Sequence, residues 1–232
     1  MECLKSNIVG LGVLTLFILG FFHAGISIAG TAFEDDFSGN DDKWEVIEGN
    51  WKVKGGTYTE EAKTPYAIVL AGDENWTDYT VEVDVTLADN DAGAAGSHDC
   101  IGILFRADNE GKNGYRFWIR TDASGPGQFV KWIDKTWDQG GSLTPLPIAP
   151  IEIERVYHFK VVVEGNRIIG FIDDVEVVDY EDPDDSFQPK GKIGLITYIA
   201  KEPVFDNVIV YGEGFPVEPG GKLTTTWGKL KE

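Results

Sequence analysis

Apolar and polar residues alternate without a break in the stretch Tyr79-Thr-Val-Glu-Val-Asp-Val-Thr-Leu87. A period of two residues is that of a β-strand with one buried and one solvated face. The three valines therefore share the face predicted to be buried, whereas Glu82 and Asp84 point to the opposite face. The rest of the chain follows the same period, and no stretch has the spacing of a long amphipathic helix.

Eight further stretches alternate in this way, at residues 101–106, 115–120, 128–133, 157–163, 167–172, 175–180, 192–198 and 205–211. Residues that tolerate positive φ separate several strands, namely Gly55-Gly56, Gly165-Asn166 and Asp173-Asp174. Neighbouring strands are therefore predicted to pair as antiparallel hairpins. About a dozen short strands are more than one open sheet holds, so the sequence predicts an all-β fold, a jelly-roll sandwich of two antiparallel sheets.

Composition limits the classes of function. The 232 residues carry 20 Lys and Arg against 39 Asp and Glu, which gives a formal net charge of −19. Nucleic acid is excluded as a partner because a polyanion would meet a strongly negative surface. A hydrophobic content of 42% with 12% aromatic residues is that of a globular chain and not of a disordered acidic one.

The first 29 residues differ from the rest. Lys5 precedes an apolar run over residues 8–22, and small residues follow at Ser27-Ile28-Ala29. This is the pattern of a secretory signal peptide cleaved after Ala29, although the run is also long enough for an uncleaved membrane anchor. Cleavage predicts a secreted protein of the periplasm or cell surface with no stable membrane insertion, and we expect a monomer.

The predicted sandwich domain extends over residues 30–211. A linker rich in Gly and Pro and a short basic tail follow at residues 212–232. The tail is either a sorting or attachment signal or a segment that docks on the sandwich or stays loose. After cleavage Cys100 is the one remaining cysteine, so the domain is predicted to depend on its core and to lack an internal disulfide.

Four stretches carry a family resemblance: Asp35-Asp36-Phe37 with Trp44, residues 49–56, residues 102–106 with Gly114-Tyr115, and Phe205-Asp206-Asn207-Val208. They resemble the concanavalin A-like, laminin-G-like jelly-roll superfamily, in particular secreted bacterial domains similar to the 3-keto-disaccharide hydrolases. The resemblance covers residues 33–211 and implies that the first and last strands lie side by side. Because the superfamily holds sugar-binding modules, glycoside hydrolases and proteins without known activity, the fold leaves the function open.

Catalysis by a family 16 glycosidase is not favoured. The resemblance implies a strand motif of two or three acids, of which Glu82 and Asp84 are present, but Leu87 stands where a further acid is needed. Both acids are interpreted as solvent-facing strand residues, and neither His98 nor His158 belongs to a nucleophile or metal motif. An activity similar to that of the 3-keto-disaccharide hydrolases and a structural or adhesive role in the cell envelope stay open as alternatives.

Carbohydrate binding is the favoured function. If Tyr115 and its alternate neighbours face the core, then Arg116, Trp118 and Arg120 point to the outer face of the same sheet. Arg106 is predicted to join them from one neighbouring strand and Trp132 from another. Aromatic rings that stack on a sugar and arginines that bind hydroxyl or carboxylate groups predict a glycan site on the concave sheet face. The alternative is that these side chains cover the sheet and pack under loops.

Calcium is the one cofactor that the resemblance implies. Related jelly rolls hold a structural calcium ion between a carbonyl group near the first strand, a glycine carbonyl group and an aspartate of the last strand. The matching residues are Glu34 or Asp35, Gly49 and Asp206. Calcium prefers such oxygen ligands and suits an acidic protein without disulfides. The alternative is that Asp206 only satisfies backbone groups near the end of a strand.

Overall fold

A computed structural model describes residues 29–89, 99–121, 125–135, 144–149, 151–184, 187–213 and 215. Residues 1–28 of the predicted signal peptide, His98 and nearly all of the predicted C-terminal tail lie outside this range. Where the structure describes the chain, it has no helix long and apolar enough to cross a membrane.

The described residues form fifteen strands. They are β1 (Gly30–Asp35), β2 (Glu45–Glu48), β3 (Trp51–Lys54), β4 (Thr57–Glu60), β5 (Ala67–Ala71), β6 (Tyr79–Leu87), β7 (Cys100–Ala107), β8 (Gly114–Arg120), β9 (Gly127–Trp132), β10 (Thr144–Pro145), β11 (Val156–Glu164), β12 (Arg167–Ile172), β13 (Val175–Glu181), β14 (Lys192–Tyr198) and β15 (Pro203–Gly212).

The strands form two sheets. The first sheet has the order β13-β12-β11-β6-β15-β4-β3, with β1 also paired to β15. The second sheet has the order β10-β9-β8-β7-β14-β5-β2. Every pair is antiparallel, which confirms the predicted two-sheet sandwich.

The two ends of the domain close the first sheet. Phe33 of β1 lies opposite Val210 of β15, and Asp35 lies opposite Val208. The resemblance implied this pairing of the first and last strands. Because β15 also pairs with β4 and β6, the last strand of the domain joins three parts of the chain that are distant in sequence.

The two sheets differ in how they are covered. In β6 of the first sheet, buried residues alternate with half-buried ones, so its outer face meets solvent. In β7 of the second sheet all eight residues are buried. A second, smaller apolar cluster covers the outer face of that sheet, formed by Ile68, Leu70, Leu104, Ala107, Trp132 and Ile196. The second sheet is therefore packed on both faces, whereas simple alternation predicts one solvated face.

Close approach of β7 and β8 depends on Gly102, which lies directly opposite Trp118. A Cβ atom at this position would stand 2.3 Å from the carbonyl oxygen of Phe117 and 2.3 Å from the Cβ atom of Trp118. Both atoms are fixed by the backbone of β8, so neither can move aside unless the strand moves.

Replacement of Gly102 by Ala is therefore expected to lower the free energy of unfolding by about 2 kcal/mol, the usual cost of overpacking a core. Gly39→Ala is the matched control, because a Cβ atom there meets nothing within 4 Å. Chemical denaturation of both variants measures the difference. Equal stability of the two variants would contradict the packing described for β7 and β8.

Candidate functional site

A pocket of about 310 Å³ opens on the outer face of the second sheet. We call it the outer-face pocket. Its lining combines two arginines with aromatic and uncharged polar side chains: Tyr66, Cys100, Arg116, Trp118, Arg120, Gln128 and Tyr198. None of these described lining residues is acidic, although the protein as a whole carries a net charge of −19.

Strand alternation and register bring the lining residues together. Arg116, Trp118 and Arg120 lie on the outer face of β8, because the alternate residues of that strand are in the main core. Gln128 of β9 lies opposite Trp118, and its Oε1 atom accepts a hydrogen bond of 3.2 Å from the indole nitrogen. Tyr198 of β14 reaches the same face through its pairing with Cys100.

Arg116 is the most unusual of these residues. Its side chain is 0% exposed, and its Cζ atom lies 3.4 Å from the ring centroid of Trp118 and 4.7 Å from that of Trp132. None of its three side-chain nitrogens makes a hydrogen bond of normal length and angle with a described residue. The hydroxyl group of Tyr66 is near enough to interact with the guanidinium, but no described carboxylate is. Burial lowers the pKa of Arg116 to about 9, so the guanidinium is still charged at pH 7.

Two tyrosines add aromatic surface to the outer-face pocket. The rings of Tyr66 and Tyr198 lie 4.8 Å apart, and the ring of Tyr66 lies 5.0 Å from that of Trp132. Both tyrosines are only partly buried. Sequence analysis missed both, although alternation along β14 places Tyr198 on the outer face. Tyr66 lies before β5 with a φ of 54°, so no periodic pattern indicates its position.

The predicted binding residues occupy three kinds of position. Arg116, Trp118 and Arg120 line the outer-face pocket. Trp118 is only 5% exposed, so it does not form the open aromatic platform that we expected. Trp132 is fully buried next to Arg116, and its indole nitrogen donates a hydrogen bond of 2.9 Å to the carbonyl oxygen of Gly111. Trp132 therefore supports the pocket and does not line it.

Arg106 does not join the outer-face pocket, contrary to the sequence prediction. Its φ of 47° interrupts the alternation of β7. The guanidinium donates hydrogen bonds of 3.1 and 2.9 Å to the carbonyl oxygen of Thr77 and lies 3.4 Å from a carboxylate oxygen of Asp78. This arginine therefore fixes a neighbouring loop and is already supplied with partners.

The residues predicted to bind calcium are partly engaged by protein groups. The carbonyl oxygen of Glu34 accepts a hydrogen bond of 2.6 Å from the ammonium group of Lys43. The carboxylate of Asp35 accepts hydrogen bonds from the backbone of Phe37 and from the indole of Trp44. Among the described residues, no three His, Cys, Asp or Glu side chains gather as metal ligands.

Gly49 and Asp206 complete the predicted calcium set. Gly49 packs against Ala67 and Trp51, and burial and the nearby carboxylates Asp84 and Asp36 raise the pKa of Asp206. The Glu34 side of the set does not fit a cation, because the ammonium group of Lys43 already donates to its carbonyl oxygen. Calcium binding therefore stays a prediction from the resemblance.

A polar cluster lies on the outer face of the first sheet. His158 Nδ1 lies 2.7 Å from a carboxylate oxygen of Asp84, and Nε2 lies 3.4 Å from one of Glu82. Glu82 also accepts a hydrogen bond of 2.7 Å from the hydroxyl group of Tyr211 and pairs with Lys160 at 3.3 Å. Because these residues come from β6, β11 and β15, the cluster links three neighbouring strands.

Comparison with known proteins gives a family and two relatives. A family model described as a 3-keto-alpha-glucoside-1,2-lyase-like domain matches residues 30–210. A levanase of Bacillus subtilis strain 168 is 28% identical over 174 residues, which are 74% of this chain and 23% of the levanase. An extracellular exo-alpha-L-arabinofuranosidase of Streptomyces chartreusis is 27% identical over 148 residues, 63% of this chain and 16% of that enzyme. The chain thus spans less than a quarter of either relative.

Solved structures share the fold. The carbohydrate-binding module CBM66 from Bacillus subtilis superposes with a TM-score of 0.60 at 24% identity, over 73% of this chain and 96% of the module. A β-glucanase of Bacillus licheniformis gives a TM-score of 0.54 at 12% identity, over 78% of this chain and 97% of the enzyme. At these identities the likeness shows the fold alone. The family model confirms the resemblance to the 3-keto-disaccharide hydrolase domains.

Arg106 and Arg116 form a matched pair for a stability test, since both are buried but only Arg106 has carbonyl and carboxylate partners in the described structure. Arg106→Met is expected to lower the free energy of unfolding by about 2 kcal/mol, because a charged hydrogen-bond donor is lost. Arg116→Met removes a buried charge that has no ionic partner together with two cation–π contacts, so the free energy of unfolding should change by less than about 1 kcal/mol or increase. Denaturant titration of both variants measures this, and a larger loss for Arg116→Met would show that its guanidinium has a stabilising partner.

His158 predicts a pH-dependent contribution to stability. Burial lowers its pKa, but the hydrogen bond and charge of Asp84, and then Glu82, outweigh burial and raise the pKa above its usual value. A raised pKa means that the protonated form stabilises the fold, an effect present below about pH 6.5 and lost as pH rises through the folded pKa.

His158→Gln should therefore destabilise the protein more at about pH 5.5 than at about pH 8.5, by less than about 1 kcal/mol because the pair is partly solvated. Thermal melts of wild type and variant at both pH values provide the measurement. A difference that is the same at both values would contradict the ion pairs.

Proposed function

The chain belongs to the 3-keto-alpha-glucoside-1,2-lyase-like domain family, and we propose that it binds a carbohydrate in the outer-face pocket. The observation that carries this proposal is Arg116, a buried guanidinium with aromatic contacts and without an anionic or carbonyl partner among the described residues. Buried polar groups in proteins are nearly always satisfied, and an exception inside a pocket indicates a group reserved for a ligand.

The pocket offers both kinds of contact that a sugar needs. The partly buried rings of Tyr66 and Tyr198 can pack against the apolar face of a sugar ring, while Gln128 and the two arginines supply polar groups for its oxygens. A volume of about 310 Å³ is at the lower end of ligand pockets and suits one terminal or internal sugar unit.

The comparisons support the same class of ligand. A levanase and an arabinofuranosidase are relatives, and a carbohydrate-binding module shares the fold over nearly its whole length. Because the name of the arabinofuranosidase calls it extracellular, the comparison also supports the proposal that this protein is secreted. The signal-peptide pattern over residues 1–29 points to the same location.

An enzyme similar to the 3-keto-disaccharide hydrolases is the second candidate, and the His158 cluster is the observation that favours it. Cleavage next to a keto group needs a general base, and an imidazole between Glu82 and Asp84 is chemically suited to that role. The cluster lies on the opposite sheet from the outer-face pocket. Incubation with a 3-keto-glucoside separates the two candidates: turnover that His158→Gln abolishes would transfer the function to the first sheet.

Substitution of Tyr198 tests the carbohydrate proposal. Tyr198→Ala should weaken binding of the best ligand found on a glycan array by about two- to tenfold, since an aromatic contact contributes about 0.5–1.5 kcal/mol. Tyr211→Ala is the matched control, because Tyr211 is a partly buried tyrosine of the first sheet. Titration calorimetry of both variants provides the affinities. Failure of every saccharide to bind, or equal binding by both variants, would overturn the proposed site.

A further inference from the structure

The positive charge of the outer-face pocket indicates which chemical class of sugar it binds. We propose that the ligand is an acidic sugar, a uronic acid unit whose carboxylate pairs with Arg116. This proposal rests on the proposed carbohydrate binding.

The other cations with little exposure have anionic or carbonyl partners. Arg106, which is 2% exposed, binds the carbonyl oxygen of Thr77 and lies 3.4 Å from Asp78. Lys131 forms an ion pair of 2.7 Å with the buried carboxylate of Asp182. Arg116 differs from both, since within the described ranges no carboxylate or carbonyl group accepts a hydrogen bond from its nitrogens, and the neutral hydroxyl group of Tyr66 is the acceptor near it. In a protein with 39 acidic residues, the lack of such a partner is not a consequence of composition.

The contacts of Arg116 explain how it stays in place without an acid. Indole rings attract a cation through their faces but accept no hydrogen bond in the ring plane from its N–H groups. Trp118 and Trp132 therefore stabilise the charge and fix the guanidinium. They leave its N–H groups able to donate hydrogen bonds to a ligand. The hydrogen bond of Trp118 to Gln128 and that of Trp132 to Gly111 fix the two indoles in turn.

A carboxylate satisfies this site better than a hydroxyl group. A guanidinium presents parallel donors that match the two oxygens of a carboxylate, and the pair neutralises the buried charge. A sugar hydroxyl group offers a single acceptor oxygen and leaves the charge in place. Arg120 adds a second positive charge to the lining, where its Nε atom donates to the carbonyl oxygen of Gly125. No described lining residue brings a negative charge that would repel the ligand.

The experiment compares acidic and neutral oligosaccharides of the same linkage by titration calorimetry. The probes are oligomers of galacturonate, glucuronate and mannuronate, and their counterparts of galactose, glucose and mannose. At least one acidic probe should bind about 100-fold more tightly than its neutral counterpart, and methyl esterification of its carboxylate should remove that difference. The preference should also weaken at high salt, although less than for an exposed ion pair.

Variants assign the effect to Arg116. Arg116→Met should remove the preference for the acidic probe, whereas Arg116→Lys should keep part of it, because an ammonium group retains the charge but not the paired donors. Arg155→Met, at an exposed arginine that pairs with Asp173, is the control and should bind as wild type does. Thermal melts show that each variant is folded.

Each outcome decides between the two proposals. Equal affinity for acidic and neutral probes, or a preference that persists in Arg116→Met, overturns the acidic ligand and leaves the carbohydrate site intact. Tighter binding of a sulfated oligosaccharide than of any uronate also overturns the carboxylate assignment. Absence of binding to every saccharide overturns the proposed function itself.

Discussion

The candidate site on the second sheet depends on one interaction, the contact of a buried, charged guanidinium with two indole rings. Alternation along β8 directs the Arg116 side chain to the outer face of the second sheet. The side chain is nevertheless fully buried there. Burial of a lone charge is unfavourable, so the surrounding structure must compensate for it. Trp118 and Trp132 do so through their rings, and their own hydrogen bonds hold them in position.

The two outer faces of the sandwich differ in whether their charged side chains are paired. On the first sheet, Glu82, Asp84 and His158 satisfy one another across neighbouring strands and meet solvent. On the second sheet, apolar residues cover most of the face, and Arg116 has no acid beside it among the described lining residues of the pocket. A group that is fully paired contributes to stability, whereas a buried group kept without a partner is available for binding. This contrast is why we place the function on the second sheet.

Much of the fold could be predicted from the sequence, because period two and turn residues are local signals. β6, β12 and β14 begin and end as alternation predicts, and alternation along β8 directs Arg116 and Trp118 outward. Arg106 was placed in the pocket because alternation does not show the positive φ that interrupts β7.

The burial of the site could not be predicted in the same way. Tyr66 comes from a segment without periodicity, and the burial of Trp132 depends on a loop carbonyl group, that of Gly111. The calcium prediction rested on resemblance alone, which does not show that Lys43 already occupies the Glu34 carbonyl group. Contacts between segments that are distant in sequence therefore determine which of the predicted residues lie in one site, and local sequence patterns do not show these contacts.

The central claim is that Arg116 is held ready for an anionic group of a sugar. The most direct measurement is a crystal structure of the protein with an acidic oligosaccharide bound. We expect a sugar in the outer-face pocket, with its carboxylate within hydrogen-bond distance of the Arg116 guanidinium and its ring beside Tyr66 and Tyr198. A sugar bound on another surface, or a carboxylate of the protein itself on Arg116, would contradict it.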